Sequence, residues 1–184
     1  MSLNINKIFF SKDKTTGPKK SFRIVSDGSK IILYSPIIFI PFGIEYYNNK
    51  QILNIEVDSD KNNDLYNFYS LIYKIDHILQ NLNNDTNNDL IYDETIRQNH
   101  KSIANLIQNK QFISCIKNGL KGYLFRTYIP TNCGLNIHSS DNTETYTMNQ
   151  IKGRYAKVTI EIGNLWIMPD TYGYILNITD ITLF

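Results

Sequence analysis

Three short stretches place cations and aromatic rings side by side. Lys121-Gly-Tyr123-Leu-Phe125-Arg126-Thr-Tyr128 is the longest, Lys152-Gly-Arg154-Tyr155-Ala-Lys157 is the second, and Lys19, Lys20, Phe22 and Arg23 form the third. Alternate residues of a strand share a side, so Lys121, Tyr123 and Phe125 lie on one side of the first stretch and Arg126 and Tyr128 on the other. Only one of these sets can face a ligand. Single-stranded nucleic acid asks for this combination: cations track the phosphates, and aromatic faces stack on bases without reading them. An aromatic on a strand also serves as core, and both readings stand at this point.

Other chemistries find less support. The sequence has no Walker-type GxxxxGK, no GxGxxG, no GxSxG and no HExxH, and its three histidines lie in unrelated contexts. No pair of carboxylates sits in the pattern of a metal-dependent nuclease. Cys115 and Cys133 belong to no CxxC pair, and His138 alone does not complete a zinc site, so they read as thiols of an intracellular protein. We therefore expect no enzyme, no cofactor and no metal. The stretch MSLNINKIFFSKDK lacks a long apolar core with a small-residue cleavage site, so a secreted protein is not expected.

The net charge of +2 conceals a segregation. Residues 1–30 carry Lys7, Lys12, Lys14, Lys19, Lys20, Arg23 and Lys30 against Asp13 and Asp27. Residues 56–94 are acidic, and 97–126 are basic again without one carboxylate. Two basic blocks flanking an acidic one can fold into a basic and an acidic face, which lets a near-neutral protein hold a polyanion; a solvated surface has the same pattern.

The elements that would position these residues are mostly strands. Ile31–Tyr47, IILYSPIIFIPFGIEYY, is the most apolar run, and Pro36 and Pro41 cut it into pieces of strand length, Lys30–Ser35 and Ile37–Phe42, with Gly43 at a bend. It is shorter than the roughly 20 residues of a membrane span and contains two prolines and Glu45, so no membrane partner is expected. Tyr34 and Tyr46 are its candidates for stacking. Ser26-Asp-Gly-Ser29 and Asn48-Asn49 read as hairpin turns. From Asn62 the period changes: Leu65, Phe68, Ile72, Ile75, Leu79 and Leu82 make one stripe on a helix of about five turns, with His77 facing solvent. A weaker helix carries Ile96, Ile103, Leu106 and Ile107. Short strands resume at Phe112 and include Tyr123–Ile129, Gly134–Ile137, Thr145–Met148, Tyr155–Ile162, Leu165–Met168 and Tyr174–Ile178, with a turn at Gly163-Asn164. The expectation is one domain over residues 1–184, mainly β: a small closed or partly open barrel, an edge strand or basic arm over 1–20, and an α insertion of one long and one shorter helix over 58–110. Composition, at 42% hydrophobic and 20% charged, suits a chain of this length folding as one domain.

The order of features resembles a known family. Ile32-Leu-Tyr-Ser-Pro36-Ile-Ile-Phe-Ile-Pro41-Phe42-Gly43, then Gln51-Ile-Leu-Asn-Ile-Glu-Val57, the helix with Leu65, Phe68, Ile72 and Ile75, Phe112-Ile-Ser-Cys-Ile-Lys117, and Val158-Thr-Ile-Glu-Ile-Gly-Asn-Leu-Trp166 through Gly173 are similar to the OB-fold single-stranded DNA-binding proteins of certain phages and nucleocytoplasmic large DNA viruses. The resemblance covers about Phe22 to Ile181. It implies an OB-type β-barrel that coats single strands in viral DNA replication, recombination or repair, in host cytoplasm, viral factory or virion, with viral replication proteins and a second copy of the chain as further partners. The phage members end in an acidic run with a terminal aromatic. Here Phe184 is present and the acidic run is not, which sets tail-mediated recruitment apart. Trp166 reads as a core plug. The alternatives are a structural or interaction protein of a virus particle and an RNA-binding protein.

Overall fold

Turn chemistry and alternation decide where the strands fall. In the computed structural model, which describes residues 7–13, 18–58, 63–84, 91–119, 122–131 and 135–184, β1 (Ile8–Lys12) pairs antiparallel with β2 (Lys20–Ser26), and Asp27 and Gly28, at φ 50° and 74°, turn the chain into β3 (Ser29–Lys30). The apolar run divides into β4 (Ile32–Tyr34) and β5 (Ile38–Ile40) on either side of Pro36. Asn48 and Asn49, both left-handed at φ 49° and 60°, close the two-residue hairpin between β6 (Glu45–Tyr47) and β7 (Lys50–Asp58). Helix α1 (Asn63–Gln80) carries the apolar stripe, and α2 (Glu94–Ile107) starts at Asp93, whose carboxylate accepts from the Ile96 N–H at 3.1 Å. Then follow β8 (Gln111–Ile113), β9 (Ile116–Asn118), β10 (Gly122–Tyr128), β11 (Asn136–Ser139), β12 (Arg154–Ile167) and β13 (Thr171–Leu183).

These strands do not form the small OB-type barrel expected from the sequence. They belong to one mixed sheet of 13 strands whose main path runs β1-β2-β12-β13-β10-β7-β6, with the six short strands branching from it. A barrel requires its end strands to pair; among the described residues β1 and β6 are not paired with each other, so the sheet is open. The central strands are also much longer than expected. Gly163-Asn164 is no turn but lies within the 14-residue β12, where Asn164 pairs with Arg23 and its side-chain amide donates to Asp13 and Ser21 at 2.7 and 2.9 Å. Thr145–Met148 is not a strand either. Thr145 makes a single bridge to His138, and a 3₁₀ turn at Met148–Gln150 is tied to Thr147, whose N–H and hydroxyl both donate to the Gln150 side-chain oxygen at 2.7 and 2.8 Å.

The chain divides into two compact units, one of Met1–Ile31, Leu71–Cys115 and Ile162–Ile175, the other of Ile32–Ser70, Ile116–Glu161 and Leu176–Phe184. In the first, β1 is an edge strand that α2 seals. The Asn99 amide accepts from the Phe10 N–H at 2.8 Å and donates to the Phe10 carbonyl at 3.0 Å, mimicking a neighbouring strand, and His100 Nε2 donates to the Ile8 carbonyl at 2.8 Å. Burial pushes His100 below its ordinary value, so the ring is neutral and one-sided as a donor. Asp76 of α1 is buried too. Both its oxygens lie within 2.9 Å of the Ser114 hydroxyl, and the Cys115 thiol donates to the Tyr174 hydroxyl at 2.9 Å. Desolvation raises the Asp76 carboxyl against the lowering effect of the Ser114, Tyr174 and Cys115 hydrogen bonds. Trp166 lies over Gly173: a Cβ there would stand 2.7 Å from the indole and from the Ile113 carbonyl oxygen.

In the second unit, the inner sheet face presents Leu53, Ile55 and Phe125, and the start of α1 packs Phe68 and Tyr69 on Phe125 at ring distances of 6.2 and 5.5 Å. Pro36 interrupts the ladder between the two short strands, and Ser35 repairs it. Its N–H donates to the Val158 carbonyl at 2.9 Å and its hydroxyl accepts from the Val158 N–H at 2.8 Å, so β4 and β5 both stay on β12.

Two stability predictions follow from the polar contacts of the first unit. Asn99→Ala leaves the Phe10 N–H and C=O unpaired and should cost about 1–3 kcal/mol in urea denaturation. Because Asp76 has a raised folded-state pKa, its favourable contribution is complete below the ordinary value of 3.8 and is lost as pH rises through the raised one. The stability difference between wild type and Asp76→Asn should therefore shift with pH in that window; a difference constant from pH 3 to 7 contradicts it.

Candidate nucleic-acid interface

Side-chain alternation on β12 creates the outward face of the second unit. Ala156, Val158 and Ile160 are buried, which sends Tyr155, Lys157, Thr159 and Glu161 to the other side. Register brings partners to them: Phe39 on β5 is opposite Tyr155, and Tyr34 on β4 is opposite Thr159. The Phe39 and Tyr155 rings are 5.1 Å apart, and the Phe184 N–H donates to the Tyr155 carbonyl at 3.0 Å, so Phe184 lies along the other flank. Lys157 Nζ stands 5.5 Å from the Phe184 ring centre, and the Arg154 guanidinium 5.0 Å from that of Tyr146. Tyr34 is 75% exposed, Tyr155 57%, Phe184 51% and Phe39 50%. Four aromatic side chains at half exposure or more on one sheet face are far more than solvated strands need.

A second cluster occupies β6, β7 and β10. The Arg126 guanidinium lies 3.9 Å from the Tyr47 ring centre, Lys50 Nζ lies 5.6 Å from that of Tyr128, and Asn54 donates to Glu45 at 2.8 Å. Tyr46, strongly exposed, accepts from the Gln51 amide at 3.0 Å. Among the described residues Arg126 has no carboxylate partner. The rings of Tyr47 and Tyr128 are already covered by cations, which leaves less bare aromatic surface than on the β12 face.

The residues singled out in the sequence therefore separate. Tyr34, Tyr155 and Lys157 are brought together on the outward side of β12; Arg154, opposite the buried Ile40, belongs to the other side, and Lys152 is exposed in the turn before it, where a Cβ on Gly43 would meet its side chain at 3.2 Å. Arg126, Tyr128 and Tyr46 belong to the second cluster. Tyr123 is half-exposed and stacks on Tyr69 at 4.7 Å. Phe125 is fully buried among the α1 aromatics, which corrects its assignment as a contact residue: the side of β10 it shares with Tyr123 faces the helix. Lys19, Lys20 and Arg23 are exposed in the first unit, with Arg23 3.6 Å from Asp13. Lys121 lies outside the described residues. Phe39 and Phe184 were missed. Phe39 sits between Ile38 and Ile40 in a run apolar throughout, so nothing in its neighbours marks it as the outward residue until β12 fixes the register.

Among the described residues no group of three or more His, Cys, Asp or Glu side chains is placed to hold a metal ion, and no helix is long and apolar enough to cross a membrane. No protein-family model matches the chain, and no match to a curated protein is found.

Truncating Phe125 tests its placement. Phe125→Ala should lower stability by about 3–5 kcal/mol in denaturant titration, as a core cavity does; a stability loss below about 1 kcal/mol would place the ring outside the core.

Proposed function

We propose that the protein binds single-stranded DNA, with little sequence preference, through the β12 face of its second unit. The observation that carries this reading is the set of exposed rings Tyr34, Phe39, Tyr155 and Phe184 with Lys157 beside them. Rings spaced along a sheet offer successive bases a surface to stack on, and every base has such a face, so stacking tolerates any sequence. The cation holds the phosphates. The setting we propose is strands exposed during viral DNA replication, recombination or repair, in host cytoplasm or viral factory, which rests on the family resemblance of the sequence; the open sheet replaces the barrel which that resemblance implied.

Fluorescence anisotropy with labelled oligo-dT tests the proposal. Wild type should bind at low salt and weaken as salt rises. Phe39→Ala with Tyr155→Ala should weaken binding by about 10- to 100-fold while leaving the melting temperature nearly unchanged, since both rings are exposed. Lys157→Ala should reduce the logarithmic salt slope by about 0.7. Absence of binding at low salt rejects the proposal and favours a protein-contacting role for the face. Intact binding in the ring variant shows that another surface holds the strand, and stronger competition by oligo-U than by oligo-dT reassigns the ligand to RNA.

A further inference from the structure

The β12 face continues across β13 to β11. On β13, Ile181 and Leu183 are buried, so Asp180, Thr182 and Phe184 share the outward side with Lys157. β11 pairs in parallel with β13, His138 opposite Thr182, and the buried Ile137 opposite Ile181 fixes which way His138 points. Its Nδ1 is 2.9 Å from the Ser139 carbonyl oxygen and its Nε2 3.2 Å from Asp180 Oδ2. Both neighbours are acceptors, and only the doubly protonated ring can donate to both. A neutral ring keeps one donor. The Thr182 hydroxyl, 3.4 Å from Nε2 and 3.5 Å from Asp180 Oδ2, can then turn to donate to the nitrogen. Asn136 holds the other carboxylate oxygen at 3.0 Å in either state.

We propose that His138 and Asp180 form a proton switch at the rim of the binding face, strengthening its hold on a single strand at mildly acid pH. The inference rests on the function proposed for that face. With His138 protonated, the pair is neutral and Lys157 acts without an opposing charge. With His138 neutral, the Asp180 carboxylate remains beside the phosphate path and repels it. The Ser139 carbonyl and then Asp180 raise His138 above its ordinary value. Asp141 is held at about 2 by the Ser139 and Thr143 hydroxyls, and the Tyr146 hydroxyl, raised by Glu144, stays protonated. From β12, Lys157 shares this side, over the Phe184 ring.

Oligo-dT affinity is measured at fixed salt from pH 5.5 to 8.5 for wild type, His138→Gln and Asp180→Asn, together with an NMR titration of the histidine ring protons. Wild type should bind about two- to fivefold more tightly at pH 6 than at pH 8, as one nearby charge changes. His138→Gln should be weak and flat. Asp180→Asn should bind at pH 8 as tightly as wild type does at pH 6, and the His138 midpoint should fall in it. Binding that is present but flat in wild type, or a pH response that survives in His138→Gln, overturns the switch alone. Absence of binding by all three proteins at every pH overturns the platform and the switch with it, whatever the NMR midpoint.

Discussion

The register of β12 and β13 is the constraint on which the rest of the sheet depends. β12 receives β2, β4 and β5, β13 receives β8, β10 and β11, and the two pair with each other, so among the described residues seven of the sheet's twelve pairings involve one of these two strands. A shift of one residue in either would exchange the core side for the solvent side. The alternation itself slips once on each strand. On β12, Ala156, Val158, Ile160 and Ile162 are buried, but then Gly163, Leu165 and Ile167. On β13, Tyr172, Tyr174, Leu176 and Ile178 give way to Ile181 and Leu183. The buried parity thus changes along each strand without the strand ending. Tyr155 and Lys157 can therefore face outward although the same strand buries Leu165 and Ile167.

Short strands on long ones leave many interruptions, and side chains mend them. Ser35 stands in for the backbone at the Pro36 break, and the Asn99 amide occupies the free edge of Phe10. Each repair satisfies a buried donor or acceptor that would otherwise cost on the order of 1–3 kcal/mol. A sheet without closure survives on such local devices, because it lacks the continuous ladder that removes edges from a barrel.

What the sequence disclosed is what local physics controls. The stripe from Leu65 to Leu79 is decided by a period of 3.6, and the Asp27-Gly28 and Asn48-Asn49 turns by tolerance of positive φ; these were legible because no distant residue takes part. Closure of the sheet is a property of pairing between distant strands, and short apolar strands with hairpin-like spacing are equally consistent with open and closed forms. Gly163-Asn164 looked like a turn because both residues favour turns, yet both lie within β12, where its buried parity changes. Phe125 and Phe39 were misjudged for a shared reason: alternation gives two sides but not which is inner. For Phe125 that is settled by Phe68 and Tyr69 of α1, and for Phe39 by its pairing with β12.

In the proposed complex on the β12 face, stacking has to outweigh charge. Lys157 is the cation that the register places there, and Glu161 and Asp180 set carboxylates on the same side. Even three phosphate contacts on a single strand would give a salt slope near −2, or roughly a 20-fold loss between 50 and 200 mM salt. Two stacked bases at about 1–3 kcal/mol each are worth from about 30-fold to more than a thousandfold. Lys157 lies over the ring of Phe184, which holds it near the aromatic surface instead of extended into solvent. In that complex charge would fix where the backbone runs and how pH and salt modulate it, while the bare faces of Tyr34, Phe39 and Tyr155 would supply most of the hold.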